Sequence, residues 1–155
     1  MYLIKANFYD DFYIYKDDIL IMTAKRKYFW FSGVRIKVIN ENTSKLILTY
    51  RYFSFFMTII KIKYQNLPHV IKMAESILKK SYITVNNHQI GCRLKALPQR
   101  EMGVIEIDNV KVARITNKKI FGSSLEFEID FHENNKLEIY CILFFLMSIS
   151  TIESF

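Results

Sequence analysis

Glycine, proline and cysteine are scarce in this chain, with four, two and two residues among 155. The glycines Gly33, Gly91, Gly103 and Gly122 stand apart from one another, so no glycine-rich loop is available to cradle a phosphate. So little Gly and Pro also leaves little room for a flexible linker, and one folded domain over residues 1–155 is expected. Cys92 and Cys141 lack the close spacing of metal ligands, and Cys141 lies within an apolar run, so both read as buried free thiols. The histidines His69, His88 and His132 are scattered, with no ligand pair at helical or finger spacing. No Ser or Cys nucleophile has an evident base, and His132 beside Glu133 reads as part of a polar turn. A catalytic centre, a bound metal and a cofactor are therefore not expected. The start of the chain lacks a basic segment followed by an apolar one, so it does not read as a secretory signal. A reducing cytoplasmic setting is the expectation.

Apolar and aromatic residues, by contrast, are abundant: half the chain is hydrophobic, with 13 Phe and 10 Tyr. That is enough to bury a substantial core at this length. Alternating patterns dominate. Val34, Ile36 and Val38 face one way and Arg35 and Lys37 the other, while Ile60 and Ile62 oppose Lys61 and Lys63. Leu125, Phe127, Ile129 and Phe131 alternate with Glu126, Glu128 and Asp130. Further short strands are expected over 2–9, 12–15, 19–24, 45–52, 55–64, 82–85, 90–94, 104–107 and 110–115. Polar turns separate them, among them Asp17-Asp18, Asn86-Asn87 and Asp108-Asn109.

Two stretches depart from this pattern. Asn66 can cap a helix with Pro68 in its first turn, and Val70, Ile71, Ala74, Ile77 and Leu78 recur at helical spacing, which predicts an amphipathic crossover helix from Pro68 to about Lys80. From Leu137 to Ile149 the chain is apolar on every side beyond Glu138. A helix there has no polar stripe for water and must be surrounded by apolar groups. Asn134 or Asn135 is a candidate cap, with Glu138 suited to the first turn. From Lys136 to Ile152 the helix would span roughly 25 Å, short of the ~30 Å hydrocarbon core of a bilayer. A protein cage is therefore favoured over a tail anchor, which stands as the alternative.

About twelve strands, one crossover helix and one wholly apolar helix converge on a mainly β fold, a closed antiparallel barrel around a central C-terminal helix. The hairpin succession from Phe12 to Tyr64, the segment Val110-Lys-Val-Ala-Arg-Ile-Thr-Asn-Lys-Lys-Ile-Phe-Gly, the strand Leu125 to Phe131 and the Leu137 to Ile152 helix carry a resemblance. In these features the chain resembles the tubby C-terminal-like superfamily, which includes the LURP-one-related proteins and the phospholipid scramblases. The resemblance implies the same helix-filled barrel and, for tubby domains, phosphoinositide binding through basic positions. No local motif transfers those positions, and scramblase-like calcium-binding and lipidation features are not recognisable.

The net charge of +7 suits an anionic partner, and it also keeps a protein soluble. Candidate lipid- or anion-binding residues are the cluster Lys25, Arg26 and Lys27, with Arg35, Lys37, Lys61 and Lys63, which share an outer face if the strand register allows. Outward lysines also discourage edge-to-edge strand association. The aromatics Tyr28 to Phe31 beside the cluster read chiefly as core, with nucleic-acid stacking or insertion at a membrane interface as the alternatives. The expected function is a non-enzymatic binding or scaffold domain meeting an anionic phospholipid surface, in the cytoplasm and peripheral at a membrane. A nucleic-acid binder is the alternative.

Overall fold

The computed structural model describes residues 1–7, 10–30, 33–54, 58–74, 82–95, 100–119 and 123–152. Twelve strands precede one helix: β1 (Tyr2–Asn7), β2 (Phe12–Lys16), β3 (Ile19–Phe29), β4 (Gly33–Asn40), β5 (Lys45–Ser54), β6 (Thr58–Gln65), β7 (Ile71–Met73), β8 (Tyr82–Val85), β9 (His88–Leu94), β10 (Glu101–Ile107), β11 (Val110–Asn117), β12 (Ser124–Phe131) and α1 (Glu138–Ile152). They form one antiparallel sheet in the order β6-β5-β4-β3-β2-β1-β12-β11-β10-β9-β8-β7. The chain thus winds two meanders outward from the central β1–β12 pair, and the sheet curls into a nearly closed barrel.

Turn chemistry sets much of this register. Asp17 and Asp18 (φ 48° and 65°), Asn86 and Asn87 (47° and 66°), and Asp108 and Asn109 (50° and 67°) are consecutive left-handed pairs closing two-residue hairpins. Asn and Asp tolerate that conformation, and its twist matches that of the flanking strands. Alternation then decides which face goes inward: Leu125, Phe127 and Ile129 of β12 are buried while Phe131 is half-buried.

The barrel's lumen is filled by α1. Leu137 and the residues from Tyr140 to Met147 are buried, and so is Ile149. Phe145 meets Phe127 of β12 edge to face, with ring centroids 5.4 Å apart. The helix starts on a reciprocal cap: Asn135 Oδ1 accepts from Leu137 N at 2.8 Å, and Glu138 Oε1 accepts from Asn135 N at 3.2 Å. At the other end Ser150 is wholly buried, yet its hydroxyl donates to Leu146 O at 2.6 Å. Its one proton being used, it accepts from Tyr50 Oη of β5 at 3.0 Å. Asn135, Glu138 and Ser150 are therefore satisfied by the helix and by the wall around it. No helix among the described residues is long and apolar enough to cross a membrane, and the segment considered as a tail anchor is this enclosed plug.

The predicted crossover helix from Pro68 to Lys80 is not formed over its first half. Residues 67–69 bend, and Ile71–Met73 is a strand paired with β8; residues 75–80 lie outside the described residues. Tertiary partners outweigh the helical spacing. Gln65 holds both backbone polar groups of Ile71, and His69 N donates to the hydroxyl of Tyr140 on α1 at 2.8 Å. A second difference is the length of β3, which runs on through the basic cluster to Phe29 instead of ending near Ala24.

Candidate functional site

The long hairpins β3–β4 and β5–β6 carry nine Lys and Arg between Ile19 and Gln65 against one carboxylate, Glu41, whereas the rest of the chain has thirteen against fourteen. The entire positive excess of the protein thus belongs to four adjacent strands. Register decides where these charges go. Lys27 pairs with Arg35, Arg35 with Arg51, and Arg51 with Lys61. Four cations from four neighbouring strands therefore stand in one row across the outer face. A second row runs from Lys25 to Lys37 to Thr49, with Lys63 at the irregularity where Thr49 pairs with Tyr64 and Tyr50 with Ile62.

Like charges directly opposite one another on a sheet are destabilising, by up to about 1 kcal/mol a pair. Elsewhere the barrel avoids this: Lys118 pairs with Glu128 at 3.0 Å, Lys119 with Glu126 at 3.8 Å, Lys95 with Glu101 at 3.6 Å, and Arg93 with Glu106. Among the described residues no carboxylate lies within ion-pair distance of Lys25, Lys27, Arg35, Lys37, Lys61 or Lys63. Part of the local compensation is aromatic. The Phe29 ring lies 5.6 Å from Lys27 Nζ, 5.1 Å from the Arg35 guanidinium carbon and 5.3 Å from that of Arg51. Gly33, the partner of Phe29, puts no side chain in the way; at φ 81° an added Cβ would sit 2.1 Å from Tyr52 O.

Of the seven sequence candidates, six reach this face: Lys25, Lys27, Arg35, Lys37, Lys61 and Lys63. Arg26 does not, because it alternates onto the other side of β3. Its guanidinium lies 4.2 Å from the Phe12 ring, donates to Asn7 O at 3.0 Å and also binds Asp10 O, while its backbone N–H donates to Asp11 Oδ1 at 2.9 Å. It ties the β1–β2 connection to β3. Arg51, which the reading of the sequence passed over, completes the row; its opposite-face neighbours Tyr50 and Tyr52, both buried, were the signal that it points outward. The aromatics read as core are also revised, since Trp30 is 93% exposed and Tyr28 44%. Phe31 lies outside the described residues.

Other titratable groups serve the scaffold. Burial drives the Cys92 and Cys141 thiols up to about 12, leaving poor nucleophiles at neutral pH. His88 Nδ1 and Asp108 Oδ2 are 2.6 Å apart on exposed hairpin ends, and among the described residues no hydroxyl or thiol is hydrogen-bonded to that imidazole. A hollow of about 370 Å³ opens at the helix entry, lined by His69, Asn86, His88, Ile107 and residues Asn134 to Leu137. Among the described residues no group of three His, Cys, Asp or Glu side chains could hold a metal ion. No protein-family model, curated protein or solved structure matches the chain.

Proposed function

We propose that the protein is a non-enzymatic binding domain whose β3–β6 face contacts an anionic phospholipid surface. The row Lys27, Arg35, Arg51 and Lys61 carries this reading, because the register stands cations from four adjacent strands side by side, and among the described residues no carboxylate lies within ion-pair distance of Lys27, Arg35 or Lys61. An anionic leaflet offsets the mutual repulsion, and each Lys or Arg near such a surface contributes about 1 kcal/mol. The resemblance to a superfamily with phosphoinositide-binding members points the same way.

Sedimentation with vesicles tests it. Binding to equimolar phosphatidylcholine and phosphatidylserine, absent with phosphatidylcholine alone and weakened by salt, is the expected result. Arg35→Glu combined with Lys61→Glu should abolish it. Equal absence of binding to both vesicles overturns the reading. So does a preference for single-stranded oligonucleotide with steeply salt-dependent affinity, which would assign the same cations to nucleic-acid phosphates.

A further inference from the structure

The rows of the basic face change character toward one end of the barrel. One pleat repeat beyond Lys27, Arg35, Arg51 and Lys61, the same four strands present Phe29, Gly33, Phe53 and Ile59. Two residues along a strand is about 7 Å, so an apolar row runs parallel to the cationic one at that separation. Phe53 and Ile59 are 39% and 44% exposed, and just past Phe29 stands Trp30, the only tryptophan of the chain, at 93%. Other large apolar side chains with high exposure, such as Ile19 at the far end of β3, Val70 before β7 and Val110 at the start of β11, stand apart from this rim. Phe53, Ile59 and Trp30 share one rim, and a clustered apolar patch bordered by charge marks a contact surface.

We infer that the protein docks on an anionic membrane with this rim down, Trp30 inserted at the headgroup level and the cationic row lying over the phosphates. The proposal rests on the lipid reading above and adds the depth and orientation of the contact. Its physical basis is the spacing. Apolar faces of interfacial elements sink roughly 5–10 Å below the headgroups, and a row of cations about 7 Å behind such an edge stays at phosphate depth. Tryptophan suits that boundary because its ring is apolar while its N–H can still reach polar partners. At the opposite end the hairpin turns carry Asp17, Asp18 and Asp108, carboxylates that an anionic surface disfavours.

The single tryptophan makes the test direct. With equimolar phosphatidylcholine and phosphatidylserine vesicles, Trp30 emission should shift to shorter wavelength and be quenched by lipids brominated near the headgroup more than by lipids brominated at the chain end. Trp30→Ala, at an exposed turn, should weaken vesicle binding by about tenfold in a protein that still folds. Sedimentation of the unaltered protein without any change in Trp30 emission overturns the insertion and leaves the lipid reading standing. Absence of sedimentation overturns both. Full affinity of Trp30→Ala also counts against insertion.

Discussion

The side-chain amide of Gln65 pairs with the backbone of Ile71 at both polar groups, Nε2 donating to O at 3.1 Å and Oε1 accepting from N at 2.7 Å. One side chain thus stands in for a strand neighbour at the seam between the terminal strands β6 and β7. Gln65→Leu should leave a partly buried donor and acceptor without their partner, at a cost of about 2 kcal/mol in chemical denaturation. Faster amide exchange at Ile71 than in β12 would accompany it; unchanged stability and exchange would show that the seam closes by other means.

Leu143 is wholly buried in the plug. Leu143→Asp places an unpaired charge there and should prevent soluble folding, whereas Leu143→Ala should fold with a loss of about 2–5 kcal/mol. A monomeric Leu143→Asp protein as stable as the parent would contradict an enclosed helix.

Acid stability should depend on Glu138. Burial pushes its carboxyl upward, but hydrogen bonds from the Tyr2 hydroxyl at 2.8 Å, the Asn135 N–H and Lys16 Nζ at 3.2 Å outweigh it and hold the group below its ordinary 4.5. A depressed folded-state value contributes stability that is complete above the unfolded value and lost as pH falls through the folded one. Denaturation midpoints should therefore drop below pH 4.5, and Glu138→Gln should flatten that decline. Asp108, held low chiefly by His88, acts in the same direction, so the flattening is partial.

The cationic row should trade stability against binding. Lys61→Thr removes a charge opposite Arg51 and installs a residue favoured in strands, so thermal stability should stay level or rise by up to about 1 kcal/mol. Affinity for phosphatidylserine vesicles should fall about fivefold. A clear loss of stability with binding intact would mark Lys61 as a structural residue.

Most strand positions and the buried character of the last helix were legible in the sequence alone. Period-two alternation dictates a half-buried strand, paired Asn and Asp dictate left-handed hairpin turns, and a run such as Leu137 to Ile149 has no face that tolerates water. What lay beyond local pattern was pairing. Whether the Ile71 segment becomes helix or strand depended on Gln65, Tyr140 and β8. Adjacent charges in sequence were separated and distant ones joined, since a strand sends neighbours to opposite faces: Arg26 left the cluster of Lys25 and Lys27, while Arg51 entered a row with residues from three other strands. Composition supplied the cations, and only the register of β3 to β6 arranged them behind an apolar rim ending in Trp30.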